Sequence, residues 1–365
     1  MRNLIKIILV LFLAFAQEAF SQDPQMSMYY AMPLYISPSF AGSAYNSRLM
    51  LNHRQQWPGN QSKYSTFFTS FDTYFAKQKV GLGLVSMYDE QGSGMYFDRF
   101  NTIRTMDLTL QAAYDITLNK NYSLRPGLQL HGVNRRIGTN YLYPNQLNNQ
   151  GLNGQPSGEV LNDNSFFYPS VGSGVLLYGK DFWMGVAGHH LNRPNTSFLP
   201  GGNVRTDIKL NFHVGYKYYF FKGSRTSHYL SDEVEYSISP IVHYKMQGRN
   251  DQLDIGFAGT ADQFLYGFWY RGLPYLKNYN NSNINNESLI FMVGWVFEGW
   301  NLHYAYDFTI SKLVQSTQGA HEINLAYIFR KKKSKFKYKR LPCPTHIRYM
   351  KHDGINYQHD HDGRN

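Results

Sequence analysis

The chain reads as an all-β protein, an antiparallel transmembrane outer-membrane β-barrel of about 14 strands. Three observations carry that reading. Apolar and polar residues alternate with period 2 over fourteen successive segments, most of them long enough for a tilted strand to cross a bilayer. The connections alternate long and short along the chain, as in barrels with long outer loops and tight periplasmic turns. Aromatic residues are abundant, with 30 Tyr, 25 Phe and 5 Trp, while charged residues are 17% against about 25% in soluble proteins.

Residues 1–21 read as a secretory signal. Arg2 and Lys6 supply the positive start, Ile7 to Ala16 is an apolar run too short to span a bilayer as a helix, and Ala19-Phe20-Ser21 places small residues before a cut at Gln22. Residues 22–44 follow a different logic. Pro24, Pro33 and Pro38 exclude a helix or a paired inner strand, yet the stretch is too apolar for a free tail. It is expected to pack irregularly at the periplasmic mouth or inside the barrel.

The barrel is expected over 45–330. Its strands are placed near 45–57, 62–75, 79–90, 103–118, 121–136, 165–178, 180–191, 205–220, 233–246, 250–260, 263–272, 287–298, 299–309 and 319–330. The alternation is clearest where Met106, Leu108 and Leu110 interleave with Asp107, Thr109 and Gln111, and where Leu302, Tyr304 and Phe308 flank His303 and Asp307. An even strand number puts both termini in the periplasm. Two connections break the length rule: 247–249 is short for an outer loop, and 221–232 is long for an inner one. Aromatics including Trp183, Trp269, Trp295 and Trp300 are expected at the headgroup level.

The polar face is expected to line the lumen. It carries Arg48, Asn52, Arg54, Asp107, Lys209, Asp307 and Glu322 as candidate partner-binding residues, charged groups of a kind that line a pore or a filled cavity. Most of them are expected to pair with one another and with water. Gly81 and Gly83 lie in a strand and are expected to relieve crowding inside the barrel. His189 and His190, as neighbours on a strand, are expected to point to opposite faces.

Residues 331–365 form a basic periplasmic tail, in which Lys331, Lys332, Lys333, Lys335, Lys337 and Arg340 suit an acidic partner surface. Of the net charge of +11, residues 330–365 hold +8 and the first 21 hold +1, which leaves only +2 for the rest. Nucleic acid is therefore not an expected partner. The single Cys excludes an intrachain disulfide framework. With no Walker loop, HExxH or nucleophile elbow, the chain is not expected to be an enzyme or to hold a cofactor.

Several separated motifs resemble the PorP/SprF family. They are Gln22-Asp23-Pro24-Gln25 through Pro33-Leu34-Tyr35 and Pro38-Ser39-Phe40-Ala41-Gly42, then Arg54-Gln55-Gln56-Trp57-Pro58 and Ser70-Phe71-Asp72, then Tyr304-Ala305-Tyr306-Asp307-Phe308 with Gly319-Ala320-His321-Glu322-Ile323. The likeness spans 22 to about 329. It implies an outer-membrane barrel of the type IX secretion and gliding-motility machinery of Bacteroidetes. It also implies a role in export and surface attachment of a secreted adhesin, whose C-terminal type IX sorting domain the barrel would bind. Periplasmic or peptidoglycan-linked components of that machinery, and outer-membrane lipid, are the other expected partners. The alternatives are a structural anchor for the apparatus and a small-solute channel. The resemblance brings no catalytic residues.

Overall fold

The computed structural model describes residues 23–59, 63–93, 102–138, 147–148, 151–152, 165–198, 201–227, 230–248, 250–273, 285–297, 299–311 and 317–329. The leader at 1–21, most of the 137–164 loop and the basic tail with Lys331 to Arg340 lie outside the described residues.

Fourteen strands form one closed antiparallel barrel. They are β1 Arg48–Gln56, β2 Lys63–Phe75, β3 Val80–Ser93, β4 Ile103–Tyr114 (continued by Ile116–Thr117) and β5 Ser123–Ile137. Next come β6 Ser165–Tyr178, β7 Phe182–His189, β8 Lys209–Tyr216 (continued by Tyr218–Ser227), β9 Leu230–Gln247 and β10 Asn250–Ala261. The last four are β11 Phe264–Leu273, β12 Asn285–Phe297, β13 Trp300–Thr309 and β14 Ala320–Ile328. Each strand pairs with its sequence neighbours, and β14 closes on β1 with Arg48 opposite Ile328 and Arg54 opposite Glu322. Closure matters because lipid cannot hydrogen-bond a free strand edge.

The alternation sorts as the sequence predicts. Leu108, Leu110, Leu128, Leu130, Leu302 and Phe308 point outward and exposed, toward the lipid position, while Asp107, Thr109, Gln129, His131, His303 and Asp307 are buried inside. Trp183 and Trp269 depart from the expected headgroup girdle. Both are buried and face inward, Trp269 against Tyr30 at 5.3 Å between ring centroids. The period-2 pattern puts Trp269 on the same face as Leu265 and Arg271, and the lumen there is filled rather than wet. Trp295 and Trp300 do face outward.

The connection expected at 221–232 is itself strand. β8 continues past Lys217 and β9 begins at Leu230, so the two run as a ribbon through a register shift between Tyr219 and Phe221. Among the described residues, β9 from Leu230 up to Tyr236 has a ladder partner only on the β8 side. The ribbon therefore extends past the barrel wall at the end that holds the short turns, the end where Phe329 N donates to Ser47 O.

Candidate functional site

The lumen is occupied by the chain itself. Residues from Asp23 to Tyr45 fold inside the barrel as a 3-10 turn Tyr29–Ala31, one α-helical turn Pro33–Ile36 and a second 3-10 turn Pro38–Phe40. The prolines explain this form. Pro33 and Pro38 each start a turn where their missing N–H costs nothing, and none of the turns grows into a helix. So irregular a backbone leaves amides and carbonyls unpaired, and buried backbone groups demand partners. The polar inner face supplies them. Gln111 donates to Leu34 O at 2.9 Å, Asn211 donates to Ile36 O at 3.0 Å, and Arg271 donates to Met26 O at 3.0 Å. Gly42 N donates to Asp72 at 2.9 Å, and Arg125 donates to Ala41 O.

The segment runs the length of the barrel. Its last residues meet Gly81, Arg125 and Tyr178 beside the short turns. Its first residues meet Lys209, Gln247 and Glu287, at the end from which the 190–208 and 274–284 connections leave the strands. Asp23 and Phe329 thus sit at opposite ends of the barrel; the chain ends themselves, 1–22 and 330–365, lie outside the described residues.

Ionic contacts at three places along this path fix the segment. At the short-turn end Arg48 grips Asp72 with two bonds of 2.9 and 3.0 Å, and Asp72 in turn accepts from Gly42. Near the other end Arg54 lies 2.9 Å from Asp307 and 3.1 Å from Glu322. Glu322 accepts from Ser27 N at 2.7 Å and from Asn52 at 3.1 Å. Arg271 joins the same cluster, 2.9 Å from Asp254 and 3.5 Å from Asp307. Arg48–Asp72, Arg54–Glu322 and Asp254–Arg271 are directly opposed cross-strand pairs, so register alone brings each pair together. At the end of the path Asp23 meets Lys209 and His190, each at 3.1 Å. Burial works against the Asp23 carboxylate, but His190 and Lys209 outweigh it and hold the group well below the usual carboxylate range. Burial raises the Tyr35 hydroxyl, which donates to Pro24 O at 2.6 Å and stays neutral.

The candidate residues accordingly divide. Arg48, Asn52, Arg54, Lys209, Asp307 and Glu322 all hold the chain's own segment, directly or through one neighbour. Asp107 does not. It accepts from His131 at 2.9 Å and from Thr109 at 2.7 Å within the wall. Sequence reasoning missed Asp72, Arg125 and Arg271 as holders. Their signal was the pairing of opposite charges at inward positions of adjacent strands.

His189 and His190 also depart from expectation, since both rings lie inside. His189 ends β7, and His190 takes a left-handed conformation with φ 57° that turns its ring back toward Asp23. The glycine reading holds at Gly81, where a Cβ would collide with Ala41 O.

Comparison with known proteins adds the following. The family described as type IX secretion system membrane protein PorP/SprF matches residues 18–327. No curated protein matches the chain. Among solved structures, the Pseudomonas putida toluene transporter TodX is 11% identical, covering 85% of this chain and 98% of its own, with a TM-score of 0.44. The Ralstonia pickettii toluene transporter TbuX is also 11% identical, covering 81% of this chain and 93% of its own at 0.42. A Pseudomonas aeruginosa FadL homologue is 12% identical, covering 80% of this chain and 94% of its own at 0.38.

Proposed function

The chain belongs to the PorP/SprF family of type IX secretion system membrane proteins, and from that premise we propose that it is a plugged outer-membrane partner for a secreted adhesin, gripping the adhesin's C-terminal region during export and surface attachment. The short-turn end faces the periplasm in this reading, and the long connections face outward. The observation that carries it is the seat of Ser27 among Arg54, Asp307 and Glu322. A lumen closed by a segment anchored on buried ion pairs is suited to holding a protein rather than to passing solutes. The luminal residues named above then act through the segment they hold, and cargo meets the rims and outer connections.

The test is purification from native membranes in mild detergent through a tag placed in the 274–284 connection, followed by mass spectrometry and planar-bilayer recording. A large secreted protein recovered in stoichiometric amount, with no steady conductance, supports the reading. A barrel recovered alone that conducts small ions steadily would overturn it in favour of a channel.

A second reading is favoured by the ribbon of β8 and β9. Among the described residues its outer backbone edges have no ladder partner beyond the wall, which suits strand addition by a periplasmic partner. The protein would then anchor the secretion or motility apparatus, helped by the basic tail from Lys331 to Arg340. Shortening the ribbon should release periplasmic partners under that reading and leave adhesin recovery unchanged under the first.

A further inference from the structure

We propose that the outward face of β3, β4 and β5 binds the headgroup phosphate of a membrane lipid, a role separate from the cargo reading above. The site lies at the end from which the 94–102 and 138–164 connections leave the strands. The β3–β4 and β4–β5 registers run without a shift, so each outward row can be followed across the wall. On β4 the exposed apolar stripe runs from Ile116 through Tyr114, Leu110 and Leu108 to Met106. At a rise of ~3.4 Å per residue and a tilt of about 40°, that stripe stands about 25 Å tall, the height of a barrel's apolar band. In register with Met106 the same row carries Phe67, Tyr88 and Phe167, aromatic groups of the kind that sit at the headgroup level. The next outward row, one step further from the membrane centre, is Ser65, Glu90, Arg104, Arg136 and Ser165.

Arg104 and Arg136 are directly opposed across β4 and β5, which puts their Cβ atoms about 5 Å apart, and like charges so placed repel. Arg104 is partly matched, since its Nε lies 3.6 Å from Glu90, with both side chains partly exposed. Arg136 is exposed and, among the described residues, has neither an ion pair nor a hydrogen bond. Its neighbour on the far side is Ser165 of β6, which brings no carboxylate. Two guanidinium groups against one carboxylate leave the row at +1. An anion beside Arg136 would offset the repulsion. Phosphate suits the place, because its oxygens accept from planar guanidinium forks and can serve two of them at once. The row beneath favours a phosphate carried by a lipid over a free ion. Met106 and Phe167 are exposed there, and acyl chains lying against them bring a headgroup to the height of the arginines.

The test uses the full chain in an uncharged polyoxyethylene detergent, titrated with lipid and read by native mass spectrometry. The probes are lipid A bearing its phosphates, phosphatidylglycerol, diacylglycerol and inorganic phosphate. Saturable binding of a phosphate-bearing lipid is expected, with diacylglycerol at least about tenfold weaker. Arg136→Gln should weaken the lipid about tenfold, the scale of one hydrogen bond to a charged group. Arg205→Gln removes the same charge from an exposed position on the 190–208 connection and should leave binding unchanged, which separates the row from the overall charge of the chain and its basic tail. Glu90→Gln frees Arg104 and should tighten binding severalfold, a direction that damage to the fold would not produce. Heat-modifiable migration on gels checks that every variant keeps the barrel. Lipid binding that is absent, unchanged in Arg136→Gln, weakened equally by Arg205→Gln, or weakened by Glu90→Gln would overturn the proposal. Diacylglycerol binding as tightly as the phosphate lipids, or inorganic phosphate displacing them at equal concentration, would overturn it as well.

Discussion

The carboxylate of Asp23 lies 3.1 Å from Lys209 Nζ, which ties the start of the luminal segment to the first residue of β8. With His190 at the same distance, the contact sets an acid dependence whose sign can be stated. The folded group titrates below its unfolded value of about 3.9, because His190 and Lys209 outweigh the burial that opposes its charge. Its stabilisation is therefore complete above about pH 4 and is lost only as pH falls through the lower folded value. Hydrogen exchange of the segment, followed by mass spectrometry, should stay slow from pH 7 to about 4 and quicken below. Asp23→Asn should quicken exchange at pH 7 and flatten that profile. A wild-type segment that loosens between pH 7 and 5 would contradict the assignment.

Gly81 and Gly83 stand two residues apart on the inner face of β3 but should not respond alike. A Cβ at 81 would fall on the Ala41 carbonyl, which is backbone and cannot step aside. A Cβ at 83 would meet Leu34 Cδ1 at 3.4 Å, an ordinary contact with a side chain that can shift. Gly81→Ala should cost on the order of 1–3 kcal/mol or unseat the segment, while Gly83→Ala should lie within about 0.5 kcal/mol of wild type. Urea unfolding in detergent, with protease sensitivity near Ala41, separates the two.

The Arg54 cluster should be asymmetric to mutation. Arg54 and Arg271 face three carboxylates, Asp254, Asp307 and Glu322. Arg54→Ala leaves Asp307 and Glu322 short of countercharge and should destabilise by about 3–5 kcal/mol, the range for one partner lost from a buried pair. Glu322→Gln removes the surplus negative charge and keeps an acceptor for Ser27 N. Its cost should be smaller, about 1 kcal/mol. Equal losses for the two, measured by thermal unfolding, would show that the charges do not act as the contacts imply.

How far the sequence revealed this arrangement follows from which forces are periodic. The strands were legible because lipid on one side and a polar lumen on the other impose the same alternation from β1 to β14. The period also placed Arg48, Arg54, Asp307 and Glu322 correctly inside. It could not tell an aromatic facing lipid from one facing a packed lumen, so Trp183 and Trp269 were put at the membrane surface. The reversal of His190 was hidden because it rests on one left-handed residue, φ 57°. The prolines showed that residues 22–44 were neither helix nor strand. The route of that segment was not legible, because single side chains far apart in sequence hold it, such as Arg271 on Met26 O and Asp72 on Gly42 N. The trace it left was glycine at inward positions, Gly81, Gly127 and Gly174, where a Cβ would meet Ala41, Ser39 or Ser37.

The two faces of β5 allow a last prediction, one that tests the membrane assignment apart from the lumen. Leu128 is 68% exposed on the outer face midway along the strand, and Gln129 beside it is buried, bonded to His189 and to Gln111. In a bilayer the exposed leucine is surrounded by acyl chains. Leu128→Arg should therefore cost about 2–4 kcal/mol near the midplane and lower the yield of folded barrel in lipid vesicles. In water an exposed Leu→Arg change is close to neutral, within about 0.5 kcal/mol. Comparing folding yields in vesicles with unfolding in detergent micelles, which adapt around a charge, isolates the lipid contribution. A Leu128→Arg protein that folds into vesicles as well as wild type would mean that this face of β5 does not meet the hydrocarbon core.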